Sequence, residues 1–223
     1  MSFLQRDLGV VVGRFCHEQL GHVSLFDTCR EVCKRTLILV GSANEYGTLR
    51  VPLRVETRID VIRETYPGES DEKFMVRGID DLTNELDISD AWGEYVISEV
   101  KTHMHKFANL MVYGNDEFRS KWFKEEQLTN TMEIVVPRST IPISGTQVRG
   151  MLLLDLEEEW QKHTHPLIHG MYSRLRSELM QVDVYKDIFN TVRKMDMTME
   201  DFMKVYSEYE RADREAKLAA IGK

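Results

Sequence analysis

The sequence predicts an α/β protein, a doubly wound parallel sheet of about five strands followed by a helical C-terminal extension. Over the first 150 residues, short apolar runs alternate with segments of helical spacing, which is the pattern of right-handed crossovers between parallel strands. After Gly150 the strand-like runs stop, and nearly every segment has helical periodicity. We therefore predict a sheet domain over residues 1–155 and a helical extension over residues 156–223.

Each predicted strand is a short, continuous apolar run, which is typical of strands buried on both faces of a parallel sheet. The second, Thr36–Val40, has the sequence TLILV and is followed by Gly41-Ser42. In chain order, the predicted strands are residues 8–12, 36–40, 74–79, 109–113 and 132–136.

The helices are predicted from apolar spacing and from stop signals. Val55–Thr65 is followed by Tyr66-Pro67-Gly68, a combination that ends helices. The next helix carries Trp92, Val96 and Val100 on one face. The predicted helices are residues 20–34, 55–65, 91–104 and 148–154, and then 157–162, 168–180, 185–194 and 198–219 in the extension.

The last predicted helix begins with Thr198 and, three residues later, Asp201, which is the spacing of a reciprocal cap. Its C-terminal part is highly charged. Two interpretations of that segment stay open: a solvated chain end, or a surface for self-association into a homo-oligomer.

Composition argues against several functional classes. The 29 basic and 37 acidic residues give a net charge of −8, which does not favour a general nucleic-acid or membrane-surface binder. No long apolar span and no signal-peptide pattern is evident, so we expect a cytoplasmic protein. The three cysteines form no CxxC motif and are expected to be free thiols, and we predict no protein-held metal site.

Several predicted strands end in residues suited to a ligand. Ligands of open parallel sheets bind at the carboxyl ends of the strands, near the point where the strand order reverses. The relevant strand ends are Gly13-Arg14-Phe15, Gly41-Ser42 and Gly114-Asn115. At the first of them, the glycine permits close approach of a ligand and the arginine can neutralise phosphate.

Gly21-His22 lies where the helix after the first strand begins. The free amides and positive dipole end expected there favour an anion. A histidine at that place can donate a hydrogen bond to charge that develops in a transition state. The alternative is a half-buried histidine bonded to a backbone carbonyl.

A second anion-binding segment follows the fifth strand, where Ser144 and Thr146 precede a helical run that contains Arg149. Helix N-terminal amides, hydroxyl donors and a guanidinium together suit phosphate. The alternative is an ordinary N-cap, with Arg149 in solvent.

These segments resemble the nucleotidyltransferase superfamily with HxGH and ISxTxxR motifs. Gly13-Arg14-Phe15 with Gly21-His22 corresponds to the first motif, and residues 143–149, with the sequence ISGTQVR, correspond to the second. The segments between them resemble nicotinamide-mononucleotide adenylyltransferases. The residues that carry this closer resemblance are Gly41, Ser42, Ala43, Pro52, Arg58, Trp92 and Asn115. The resemblance covers about residues 8–160, implies a Rossmann-like fold, and is compatible with a viral member of the group.

The resemblance implies adenylyl transfer from ATP to nicotinamide mononucleotide, which forms NAD and pyrophosphate without a covalent enzyme intermediate. By this resemblance His22, Arg14 and Arg149 are catalytic, and Mg²⁺ arrives with ATP. The implied ATP-binding residues are Gly13, Arg14, Phe15, Gly21, His22, Ser144, Thr146 and Arg149. The implied acceptor-binding residues are Ser42, Trp92 and Asn115, with Trp92 stacked on the nicotinamide ring.

One position departs from the family pattern, because Gln19 occupies the place of the first motif histidine. Three outcomes stay open: Gln19 substitutes at a reduced rate, His17 substitutes, or activity is lost. Two functional alternatives therefore remain. One is transfer to another acceptor, such as nicotinate mononucleotide or phosphopantetheine, or a cytidylyl reaction. The other is a nucleotide-binding regulator with weakened catalysis.

Overall fold

The computed structural model describes residues 5–82, 90–103, 110–114, 122–137 and 141–221. Its centre is a five-stranded, fully parallel sheet with the strand order β3-β2-β1-β4-β5. The strands are β1 Gly9–Gly13, β2 Thr36–Val40, β3 Phe74–Gly78, β4 Leu110–Tyr113 and β5 Met132–Val135. The chain runs outward from β1 to β3 and then crosses back to β4, so the predicted doubly wound, Rossmann-like fold is confirmed.

Helices cover both faces of the sheet. Three of them are α1 Leu20–Val32, α2 Val55–Thr65 and α3 Asp90–His103. On one face, Phe26 of α1 and Ile62 of α2 pack against alternate strand residues such as Ile38. On the other face, Val96 of α3 packs against Leu37 and its neighbours. Because successive strand residues point to opposite faces, the uninterrupted apolar runs supply both cores.

The C-terminal region is helical, as predicted. Its elements are α4 Gly145–Leu153, α5 Glu157–Lys162, a 3-10 helix Pro166–Met171, α6 Tyr172–Leu179, α7 Asp183–Val192 and α8 Met199–Ile221. The single helix expected over residues 168–180 is divided at Met171, after Gly170, a residue type that disfavours α-helix. The expected reciprocal cap at Thr198 is present, since Asp201 accepts from the Thr198 amide at 3.1 Å and its own amide donates to the Thr198 hydroxyl at 3.1 Å.

A third core joins these helices to the sheet domain. It contains Val148 and Leu152 of α4, Tyr185 of α7 and Phe202 of α8, together with Leu49 from the loop after β2. The division of the chain at residue 155 stays a prediction. Among the described helices, none is long and apolar enough to cross a membrane.

Candidate active site

The loops after β1 and β2 both contain a residue in the left-handed region of backbone space. Phe15 has a φ of 45° and Ser42 a φ of 52°. Such angles are uncommon for residues other than glycine and cost about 1–3 kcal/mol each, so the surrounding structure must hold them.

Arg58 of α2 is the side chain that holds these two loops. Its guanidinium is 1% exposed and donates to the carbonyl oxygens of Arg14 at 2.9 Å, Gly41 at 2.6 Å and Ser42 at 2.9 Å. Sequence reasoning placed Arg58 in the family resemblance but missed this role. The available signal was its position on the buried face of α2, three and four residues before Val61 and Ile62.

Four of the predicted site residues, Gly13, Arg14, Phe15 and His22, lie together at the end of β1. A Cβ atom at Gly13 would lie 2.7 Å from the Phe15 ring, so glycine allows that ring to fold back over the strand end. The Phe15 ring then meets the His22 ring edge to face, with 5.1 Å between centroids. The Arg14 side chain passes the second loop, with its Cγ 3.8 Å from the position of a Cβ atom at Gly41.

The N-terminus of α1 differs from the prediction, because its first amides are already occupied. Gln19 is the N-cap, and its Oε1 accepts from the Gly21 amide at 2.9 Å. The Leu20 amide donates to the His163 carbonyl at 3.0 Å. The expectation of free amides beside His22 is therefore wrong, and an anion here must be bound mainly by side chains.

His17 is buried beside three basic residues. It is 4% exposed, and neither ring nitrogen has a hydrogen-bond partner among the residues that the structure describes. Burial lowers the pKa of His17 well below its usual value, and the positive charges of Arg149, His22 and Arg58 lower that pKa further. His17 also lines a cavity of about 10 Å³, which is too small for a phosphate group. Because its pKa is lowered, His17 is a neutral imidazole at physiological pH.

Its neighbour Glu18 is a buried carboxyl group with an unusual titration. It is 3% exposed and contacts the Thr65 hydroxyl at 2.7 Å. Burial raises the pKa of Glu18 to about 8, from a usual value of 4.5. Between these two pH values the folded protein binds more protons than the unfolded chain, so the free energy of unfolding falls as the pH rises.

We expect the variant Glu18→Gln to be more stable than the wild type at pH 8 and above, by on the order of 4 kcal/mol, because it removes this titration. The difference should shrink below pH 8 and disappear below about pH 4.5, the usual pKa of the group. Urea unfolding at pH 4.5, 6, 7 and 8.5 measures it. If the free energy of unfolding depends on pH in the same way in both proteins, the raised pKa assigned to Glu18 is wrong.

The N-terminus of α4 carries the second predicted segment. Ser144 is the N-cap, and its hydroxyl accepts from the Gln147 amide at 3.2 Å, so the expected ordinary cap is present. Arg149 is only 7% exposed, and its Nη2 donates to the Thr146 hydroxyl at 3.0 Å and to the Tyr206 hydroxyl at 2.9 Å. The alternative of Arg149 in solvent is therefore wrong.

Arg149 carries a buried positive charge that is neutralised by no carboxylate among the described residues. In the described part of the chain its hydrogen bonds go to hydroxyl groups, and its Nε has no partner. An arginine does not deprotonate in proteins, and an isolated buried charge is costly. An anionic ligand would supply the missing counter-charge.

The three predicted acceptor-binding residues lie in different places. Ser42 is buried in the strained loop after β2. Trp92 is 7% exposed and packs edge to face against Trp122 and Tyr95 in the core beneath α3. Asn115 lies outside the described residues. The roles of these residues stay predictions.

Over the described ranges, no group of three or more His, Cys, Asp or Glu side chains is arranged to hold a metal ion. The side chains of Arg14, His22 and Arg149 instead bring hydrogen-bond donors and the fixed positive charge of two guanidinium groups to this end of the sheet. Such an arrangement suits a polyphosphate, which carries several negative charges and many acceptor oxygens.

Comparisons with known proteins add the fold context. No protein-family model matches the chain, and no curated protein matches it. Solved structures do match in fold. A bifunctional NMN adenylyltransferase/ADP ribose pyrophosphatase from Francisella tularensis, complexed with AMP and a manganese ion, has 16% identity and a TM-score of 0.62, and the match covers 85% of this chain and 54% of that one.

Two further structures show the same likeness. A NadR protein in complex with NAD and AMP-PNP has 20% identity and a TM-score of 0.50, over 73% of this chain and 46% of that one. A putative nicotinate-nucleotide adenylyltransferase from Vibrio parahaemolyticus has 15% identity and a TM-score of 0.51, over 76% of this chain and 99% of that one. This chain thus spans about half the length of the first two proteins, and at such identities the likeness shows the fold alone.

Proposed function

We propose that this protein transfers the adenylyl group of ATP to nicotinamide mononucleotide, forming NAD and pyrophosphate. The observation that carries the proposal is the buried guanidinium of Arg149, which has no carboxylate partner within the described ranges and lies within electrostatic reach of His17. The fold shared with adenylyltransferases and the combined HxGH-like and ISxTxxR segments support the same reaction class.

The reaction is an in-line displacement at the α-phosphorus of ATP. A phosphate oxygen of the acceptor forms a new P–O bond to that phosphorus, and the bond to the oxygen that bridges the α- and β-phosphates breaks. The electron pair of the broken bond stays on the bridging oxygen, which leaves as part of pyrophosphate. The protein's contribution is then positioning and charge neutralisation. Arg14 and Arg149 hold the phosphate chain, and His22 donates to the α-phosphate as its charge increases.

Magnesium enters this proposal with ATP, as part of the substrate. Mg²⁺ prefers several oxygen ligands, and the described residues contain no group of three or more His, Cys, Asp or Glu side chains arranged to hold an ion. Phosphate oxygens and water would therefore hold the ion.

An assay of the purified protein with ATP, magnesium and a panel of acceptors tests the proposal. The panel contains nicotinamide mononucleotide, nicotinate mononucleotide and phosphopantetheine, and CTP replaces ATP in a parallel series. We expect NAD from the first acceptor as the fastest product. If no acceptor yields product at high enzyme concentration, the proposal is refuted, and faster turnover of another acceptor would reassign the substrate.

We expect His22→Ala to lower turnover at least tenfold, because it removes a donor to the transition state. The fold should remain intact, since the side chain is only partly buried and lies edge to face with the Phe15 ring. Steady-state kinetics and thermal unfolding measure the two effects. An unchanged rate would remove His22 from the mechanism.

A second candidate, a nucleotide-binding regulator with weak turnover, is favoured by Gln19. Its amide oxygen is engaged by the Gly21 amide, and an amide side chain carries no charge. The loss of one such donor costs about 10²–10³ in rate, which slows an enzyme without abolishing its activity. Tight ATP or NAD binding in calorimetry, combined with no turnover, would select the regulator.

A further inference from the structure

The guanidinium of Arg149 is held by its own helix, through Thr146, and by helix α8 of the C-terminal region, through Tyr206. Its Nη2 lies 2.9 Å from the hydroxyl of Tyr206 on α8, and its Cζ lies 5.5 Å from the centroid of the same ring. The two residues are 57 positions apart in the chain. Helix α8 thus contributes a direct contact to a side chain of the candidate site.

The Tyr206 hydroxyl is itself held in place. It lies 3.4 Å from the carbonyl oxygen of Leu49, which also accepts from the Tyr185 hydroxyl of α7 at 2.7 Å. A phenolic hydroxyl has one proton to donate. Because the Tyr206 hydroxyl donates its proton towards the Leu49 carbonyl, it can only accept from Arg149. The hydrogen bonds therefore run from Arg149 to Tyr206 and from Tyr206 to Leu49.

The contacts of Arg149 leave part of its guanidinium unused. Its Nη2 donates to Thr146 and Tyr206, whereas its buried Nε has no partner in the described ranges. Its Nη1 lies over the first residue of α4, 3.5 Å from the position of a Cβ atom at Gly145. The hydroxyl contacts therefore determine where the remaining N–H donors are directed.

We propose that Tyr206 is a positioning residue that fixes the guanidinium of Arg149 for binding to the phosphate chain of ATP. This inference rests on the proposed function, because it takes a polyphosphate as the ligand of Arg149. If Tyr206 has this role, the C-terminal helices are part of the site, because they determine the orientation of the Arg149 guanidinium. Its charge is always present, but its N–H donors bind phosphate oxygens only when they point towards them.

The variant Tyr206→Phe removes only the hydroxyl group and keeps the ring. We expect it to raise the Kd for inorganic tripolyphosphate, measured by calorimetry, about tenfold or more. The KM for ATP should rise by a similar factor, whereas the KM for nicotinamide mononucleotide should stay within twofold. A general loss of folding would weaken the binding of both substrates alike. A rise in the KM for ATP alone therefore distinguishes a positioning role from a structural role.

Tyr172→Phe is the matched control. Tyr172 is buried in the same core, and its hydroxyl donates to Asp155 at 3.0 Å, so the variant loses a comparable hydrogen bond without touching Arg149. We expect less than a twofold change in tripolyphosphate binding. If Tyr206→Phe and Tyr172→Phe lose the same amount of affinity for tripolyphosphate, the inference is overturned.

A double-mutant cycle with Arg149→Met tests whether Tyr206 acts through Arg149. In the Arg149→Met background, Tyr206→Phe should change tripolyphosphate binding by less than twofold, and a full tenfold effect there would overturn the inference. Absence of tripolyphosphate binding by the wild type would also overturn it. If the expected binding pattern holds but no NAD forms, the inference is supported and the proposed function alone is refuted.

Discussion

Replacement of Arg149 by methionine should lower kcat/KM for NAD synthesis by about 10²–10³, the loss expected for one donor to a phosphate in the transition state. Its stability should change little. The guanidinium is buried, and in the part of the chain that the structure describes it has no carboxylate partner. An apolar side chain of similar length therefore removes a desolvated charge. Thus a large loss of activity should accompany a small change in the free energy of unfolding.

Steady-state kinetics with ATP varied, together with urea unfolding, measure both quantities. The matched control is Arg174→Met, since Arg174 is about half exposed and pairs with Asp60 at 2.8 Å on the protein surface. That variant should keep its activity. A fall in kcat/KM of less than threefold in Arg149→Met would contradict the role assigned to this residue.

Replacement of Arg58 by methionine should cost about 3 kcal/mol of stability or more, because three backbone carbonyl groups lose their hydrogen-bond donor. The variant leaves the carbonyl oxygens of Arg14, Gly41 and Ser42 without their donor in a buried place. Each unsatisfied buried group costs about 1–3 kcal/mol. The strained backbone at Phe15 and Ser42 would also lose its restraint.

Urea unfolding at neutral pH measures this loss, with Arg63→Met as the control on the same helix. Arg63 is 53% exposed and pairs with Asp71 at 3.4 Å, so its replacement should cost less than about 1 kcal/mol. Equal stability of the two variants would show that Arg58 does not hold the two loops. Activity should fall in Arg58→Met as well, because the loop beside His22 would relax.

Local patterns predicted most of the fold. The apolar runs of the strands and the periodicity of α1, α2 and α3 are properties of short segments, and the structure places them within a few residues of the prediction. The helical C-terminal region and the reciprocal cap at Thr198 also follow from local sequence. The division of residues 168–180 depended on a weak signal, a single glycine, and was missed.

The contacts of the candidate site were not predictable from the sequence. The motif resemblance selected Gly13, His22 and Arg149, whose roles stay predictions. It did not anticipate that Gln19 and the His163 carbonyl would occupy the first amides of α1, because His163 is remote in sequence. The electrostatic environment of a side chain depends on the charges and hydrogen bonds of every element packed around it. A short segment of sequence does not show which elements these are.

The sequence by itself determined the alternating elements, the parallel sheet and the identity of the basic and small residues at the strand ends, because short segments encode periodicity and turns. Only the tertiary structure decided how those residues are held. Arg58 reaches Arg14 across 44 positions, and Tyr185 reaches Leu49 across 136. Contacts at such separations exist only after the sheet and the C-terminal helices have packed together, and the direction of each polar group is decided by that packing.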